Sequence, residues 1–348
     1  MRAPFLLGGV SVKAGTQRMI NLPLPGMYSD TPVTMAVHVF HGRSQGPTTF
    51  VSGAVHGDEI NGIEIIRRLL SLKSLKRLKG TLIAVPVVNV FGFHNQSRYL
   101  PDRRDLNRCF PGQESGTMAG RLAGIFMREI VSHCEYGIDL HTAAIHRDNL
   151  PQIRADLTNS QLEKLSWEFA APVLLHSAAP QGTLRFAGSE SNCSIMVYEA
   201  GEALRFDEVS IRVGLRGVVN VLKSLQMLAS GAQAVVKKHS STLLQSTSWV
   251  RAAKSGIMRA QVGLGELVSK GQTLALISDP SGIQNVAITA PFSGVVIGRC
   301  NLPLVYEGEA LFHIGKTRAT STLETSLELN MNDNDFAAPQ LIEEPAII

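Results

Sequence analysis

His56 and Glu59 stand three residues apart in "VHGDE" (55–59), where a run of strand-like residues gives way to a helical pattern. Imidazole nitrogen and carboxylate oxygen are both ligands that zinc accepts, at about 2.0–2.2 Å. A strand ending at Val55 leaves His56 on a loop at the carboxyl edge of a sheet, the edge where open α/β sheets bind ligands, and starts a helix near Asp58. His56 and Glu59 then converge on one ion. A catalytic zinc takes three protein ligands and leaves one position for water, so a third ligand is required. "YGIDLHTAA" (136–144) brings His141 to the same edge on a short strand. Asp139, two residues earlier, can orient that ligand from behind. The expected cofactor is one Zn2+ per chain, although cobalt or manganese suit the same donors. An isolated HxxE or a lone histidine occurs by chance, and the other eight histidines (38, 41, 94, 133, 146, 176, 239 and 313) read as packed or surface residues.

The elements that must position these donors follow from the pattern. From Val33, strand-like runs "VTMAVHVF", "TTFVSGAV", "GTLIAVPVV" and "YGIDLHT" alternate with helical stretches at 58–72 and 118–134, which predicts an α/β fold with a sheet covered by helices. "HGRSQGP" (41–47) and "SGIQNV" near 281 read as turns from their Gly and Pro content. After about residue 235 the helical pattern disappears and short Val-rich strands separated by glycines run to Gly315, so the expected division is 1–234 and an all-β domain at 235–315. Within the latter, residues 256–277 resemble residues 294–314, with Gly271 and Gly308 in matching places, which predicts two similar halves of a β-sandwich. That segment, including "APFSGVV" (290–296), resembles the lipoyl and biotinyl carrier fold. The corresponding hairpin tip "SDPSG" (278–282) has no lysine to modify, so a lid or structural role is expected instead of a carrier role. Residues 316–348 are polar and aperiodic and are expected to be a disordered acidic tail.

Together with "RYLPDRRDLNRCFPG" (98–112), the histidine and glutamate motifs resemble the succinylglutamate desuccinylase/aspartoacylase family, within the zinc-carboxypeptidase-like proteins; the resemblance extends over roughly residues 30–225. It implies a mixed sheet flanked by helices followed by a smaller β-rich appendage, with His56, Glu59 and His141 as the zinc ligands. It also implies that Asn107 and Arg108 of "DLNR" grip a substrate carboxylate, which a guanidinium fork matches bidentately. Arg98 corresponds to the arginine that polarises the scissile carbonyl; two extra residues separate it from "DLNR", and Arg103 or Arg104 are the alternatives. "SIMVYEAGE" (194–202) resembles the strand that carries the general base, which makes Glu199 the base, with Glu202 as competitor. Arg147, Asn149 and Arg154, just after the third ligand, are further substrate-binding candidates whose alternative reading is loop solvation.

The implied activity is zinc-dependent hydrolysis of the amide bond in a small anionic N-acyl amino acid. A metallocarboxypeptidase acting on peptides uses the same groups, and a non-catalytic zinc-containing binding protein is the third possibility. Composition constrains the partners. Residues 316–348 hold six acids against two bases, so the net charge of +4 conceals +8 on the rest of the chain. Without a clustered Lys/Arg run this suits anionic small molecules and gives no footprint for nucleic acid. No apolar run approaches the roughly 20 residues of a membrane span. The opening "MRAPFLLGGVSVKAGTQ" reads as a strand of the mature protein and lacks the apolar stretch of a signal peptide. Four cysteines without CxxC spacing fit reduced thiols and a cytoplasmic protein. A homo-oligomer is compatible with all of this.

Overall fold

Alternation along the strands decides the layers. In strand Ser194–Glu202, Met196, Tyr198 and Ala200 pack on one side and Ile195 on the other; in Lys79–Val85, Leu82 and Ala84 oppose Ile83 and Val85. A sheet that is apolar on both faces must be covered on both. Helices Asn61–Leu70, Ser160–Phe169 and Glu208–Ser224 cover the first face, while Met118–Glu129 and Leu184–Glu190 cover the second. The computed structural model describes residues 2–229, 241–317 and 320–332.

The principal sheet has the strand order Ser246–Arg251, Ala310–Lys316, Gly294–Cys300, Arg147–Ala155, Ser194–Glu202, Tyr136–Ala143, Ser44–Gly53, Lys79–Val85, Thr34–His41, Thr16–Pro23. Its centre is parallel: 136–143 pairs in parallel with both 194–202 and 44–53, and the latter with 79–85. The carboxyl ends of these strands therefore open on one edge, and the loops after 44–53 and 136–143 emerge there side by side. Among the described residues, no helix is long and apolar enough to cross a membrane.

Residues 242–316 are all strands and turns. The two similar halves each lend a short strand to the other's sheet: Leu267–Val268 pairs with Gly294–Cys300, and Leu304–Val305 pairs with Gly256–Ala260. Gly271 and Gly308 adopt the same left-handed conformation (φ +83° and +81°) at equivalent turns. Leu274, Ile277, Leu311, Phe312 and Ile314 fill the space between the sheets.

Several boundaries differ from the sequence reading. The first ligand-bearing strand ends at Gly53, before Val55, because Ala54 is left-handed (φ 49°) and breaks the extended chain. The helix after it starts at Asn61, so Glu59 lies in the connecting loop. "HGRSQGP" is only partly a turn, since the strand has resumed by Ser44. The helix expected at 118–134 ends at Glu129 and is followed by a short 3-10 turn, Val131–His133. Part of the tail expected to be disordered is helix Thr320–Asn332, with Leu323 buried in one apolar cluster with Leu150, Leu244 and Val295. Its apolar residues are spaced to meet the β-rich segment, a partner that the tail read alone does not reveal. The expected boundary at 234/235 and residues 333–348 lie outside the described residues.

Candidate active site

The loop from Ala54 to Ile60 turns so tightly that His56 and Glu59 are both almost fully buried. Gly57 permits this course: a Cβ there would stand 2.0 Å from the backbone carbon of Gly92. Glu59 accepts from both histidines, Nδ1 of His56 to Oε1 and Nδ1 of His141 to Oε2, each at 2.7 Å. Its carboxylate also receives the backbone N–H of Thr142 and NH1 of Arg98, both at 3.1 Å. The far nitrogen of each ring is held by its own carboxylate. His56 Nε2 meets Asp105 Oδ1 at 3.1 Å, and His141 Nε2 meets Asp139 Oδ2 at 2.7 Å. Ser52 Oγ in turn donates to Asp139 Oδ1 at 2.7 Å.

Burial alone would push the Glu59 carboxyl up, but the two facing imidazoles hold it well below the usual carboxylate range. Burial likewise opposes charge on His141 and His56, and is outweighed by Asp139 and Glu59 for the one and by Glu59 and Asp105 for the other, so both are raised. The arrangement is a buried carboxylate with cations gathered about it, the balance that a divalent ion would satisfy with deprotonated ligands. One donor atom from each of His56, Glu59 and His141 lies within 4.8 Å of the others, which makes the trio a potential metal site. Two imidazoles and one carboxylate, with outer carboxylates on the imidazoles, fit a catalytic zinc.

A cavity of about 320 Å³ opens over this trio. Arg98, Asn107, Arg108, Arg147, Arg154 and Glu199 all line it, so the structure gathers every expected site residue. Arg98 bonds Asp105 through Nε and Nη2, at 3.2 and 3.0 Å, as well as Glu59. Arg103 and Arg104 do not line the cavity. Asn107 Oδ1 is engaged by the backbone N–H of Leu184 at 2.9 Å, and Arg108 NH1 by the Asn107 carbonyl at 2.7 Å. Arg147 lies 5.6 Å from the ring centre of Trp249 and 3.8 Å from Glu309.

Glu199 sits opposite His141 in the parallel register, and the pairing with both neighbouring strands slips immediately after it. Bulges of this kind re-aim side chains at active sites. Its Oε2 receives Asn149 Nδ2 at 2.8 Å and lies 3.4 Å from Arg154 NH2. Glu202 lies beyond the bulge and is engaged elsewhere, by His146 N at 2.9 Å and Asn301 Nδ2 at 3.0 Å.

Among the lining residues that the sequence does not mark are Arg185 and Trp249. Arg185 donates to the carbonyls of Ser177 and Ala178, at 2.7 and 3.0 Å, and has no carboxylate at ion-pair distance among the described residues. Burial, reinforced by nearby Arg154, lowers its pKa. "TLRF" carries no spacing that marks it; the only local signal is Thr183, which caps the helix starting at Leu184. Trp249 comes from the β-rich segment, and no contact across that distance can be read from sequence.

Residues 45–225 match the model of the succinylglutamate desuccinylase/aspartoacylase catalytic domain. The chain belongs to this family. It is 26% identical over 268 residues to the N-alpha-acetyl-L-2,4-diaminobutyric acid deacetylase of Halomonas elongata, covering 74% of this chain and 78% of that protein. The product-bound ectoine utilization protein EutE (DoeB) from Ruegeria pomeroyi superposes with a TM-score of 0.78 at 26% identity, covering 86% of this chain and 95% of that one. A succinylglutamate desuccinylase/aspartoacylase structure from Rhodobacter sphaeroides, at 22% identity and a TM-score of 0.78, covers 86% and 96% and shares the fold.

Proposed function

We propose that this chain is a zinc-dependent amidohydrolase that removes the acyl group from a small N-acyl amino acid. The observation that carries the reading is one cavity holding both the His56, Glu59, His141 donor set and a carboxylate, Glu199, bonded among the described residues through Oε2 only. Family membership and the deacetylase relative support it. His56, Glu59 and His141 would hold the ion, which when bound supplies Lewis acidity toward a carbonyl and acidifies water.

The chain's own residues account for the rest. Glu199 takes the proton from the attacking water through Oε1 and returns it to the departing amine. Arg98 uses three of its five N–H groups on Glu59 and Asp105, which leaves two to steady the oxygen on which charge develops. Arg108 and Arg185 have no carboxylate at ion-pair distance among the described residues, whereas Arg98, Arg147 and Arg154 do. Two guanidinium groups that have no carboxylate at ion-pair distance among the described residues favour a substrate that brings two. The small cavity, walled by Trp249, favours such a molecule over a peptide, and the β-rich segment acts as a lid of lipoyl-carrier shape. Free thiols at Cys109, Cys134, Cys193 and Cys300 suit the cytoplasm.

Metal analysis and primary-amine release test this together, on a panel including N-succinyl-L-glutamate, N-acetyl-L-aspartate and N-acetyl-L-2,4-diaminobutyrate. One zinc per chain, with release favouring the two substrates that carry more than one carboxylate over the monocarboxylate N-acetyl-L-2,4-diaminobutyrate, is the expected result. Failure to retain metal after reconstitution, or a silent panel with stoichiometric zinc and C-terminal trimming of peptides, overturns it.

A further inference from the structure

The principal sheet runs unbroken into the β-rich segment because strand Gly294–Cys300 pairs with Arg147–Ala155. One row of paired residues crosses that junction. Trp249 lies opposite His313, His313 opposite Gly298, Gly298 opposite Asn149, and Asn149 opposite Gly201, two residues beyond Glu199. Directly paired residues project to the same face, so the row runs along one face to a point beside the carboxylate, with Gly298 and Gly201 as its two positions without a side chain.

Asn149 is buried and donates Nδ2 to Glu199 Oε2 at 2.8 Å. An ionised carboxylate only accepts, so it fixes which end of the amide faces it. A Cβ at position 298 would lie 2.9 Å from Asn149 Oδ1 and 3.3 Å from His313 Cβ. Gly298 is not left-handed, so its backbone admits alanine and what the missing side chain provides is room. Arg154 approaches the same Oε2 at 3.4 Å. Without the neutral amide, its fork can close on both carboxylate oxygens and tie up the one that must exchange a proton.

We propose that Asn149 is the positioning residue for the Glu199 carboxylate, and that the β-rich segment secures it by leaving position 298 without a side chain. This rests on Glu199 being the base. Displacing a reacting group by about 1 Å can cost up to about 10²-fold in rate.

The test measures kcat and KM on the panel member that turns over fastest, with zinc content and melting temperature recorded for every variant. Asn149→Ala lowers kcat by about 10- to 100-fold with KM within about twofold. Gly298→Ala lowers kcat in the same way. The double variant is no slower than Asn149→Ala alone, because the oxygen that the new methyl group meets is gone. Losses that multiply in the double variant, or Asn149→Ala at the parental kcat, overturn the proposal. Glu199→Gln is the separate control: full turnover there removes the base assignment itself, whereas an inactive Glu199→Gln beside an unaffected Asn149→Ala rejects the positioning role alone. A crystal structure of Gly298→Ala decides independently of turnover. The Asn149 to Glu199 bond is expected to be broken and the carboxylate moved; an unmoved carboxylate rejects the proposal even if the whole panel is silent.

Discussion

Glu199 stands directly across from His141 in adjacent parallel strands, and the bulge that follows Glu199 separates it from Glu202, whose carboxylate is spent on His146 N and Asn301. The proposed base and a proposed metal ligand, set on neighbouring strands, keep their separation without help from loops. Glu199→Gln should therefore retain stoichiometric zinc and lose about 10²- to 10⁴-fold in kcat. Amine-release kinetics with metal analysis on the same preparation check this; parental turnover would sink the assignment.

Arg185 is fixed by the carbonyls of Ser177 and Ala178 and has no carboxylate at ion-pair distance among the described residues. Its substitution by Met should act on binding. For a dicarboxylate substrate, KM is expected to rise by roughly 10- to 100-fold, the loss of a charge-assisted bond worth about 1.5–3 kcal/mol, with a smaller effect for a monocarboxylate. Equal effects on the two substrates would mean that Arg185 does not read the second carboxylate.

Much of this candidate site is legible in the sequence because its donors lie on, or in the loop just beyond, parallel strands that end at one edge of the sheet. His56, Glu59 and His141 were placed by two strands with clear apolar patterns, and the arginines of 98–108 by motif. What escaped depended on contacts between distant segments. Arg185 becomes a pocket residue through a helix only seven residues long, and Trp249 through a sheet that joins the β-rich segment to strand 147–155. The helix at 320–332 was missed for the same reason, since Leu323 has a reason to be helical only where Leu244 and Val295 await it. The strand expected to end at Val55 stops at Gly53, because Ala54 adopts a left-handed backbone that an ordinary alanine rarely takes.

Chelation gives a prediction on stability. The described trio crowds two imidazoles and Arg98 about one buried carboxylate, and an ion bound only by the folded chain adds stability by mass action, about 2.7 kcal/mol at a hundredfold excess over Kd. A strong chelator should lower the melting temperature by roughly 5 °C or more, and added zinc should restore it. Asp139→Ala, which frees His141 Nε2, should weaken zinc binding by about 10- to 100-fold while the fold persists. A melting temperature indifferent to both chelator and zinc would speak against the site.

Asp148 sits beside the Asn149 row, and burial first, then the charges of Asp207 and Glu202, push its carboxyl up to about 6 against the partial relief of Arg299. Because the folded value lies above the unfolded value near 3.8, the folded state holds this proton more tightly. Stability from it is complete below about pH 4 and declines as pH rises toward 6, above which the ionised group remains a constant penalty. Asp148→Asn imitates the protonated form at every pH. Its advantage over the parent should be absent at pH 4, grow between pH 4 and 6, and level off above, at about 1–2 kcal/mol after allowance for solvent screening. Melting curves from pH 4 to 8 measure the gap. A gap that does not change with pH, or a variant less stable than the parent at pH 8, would show that Asp148 is better satisfied as an anion than its surroundings imply.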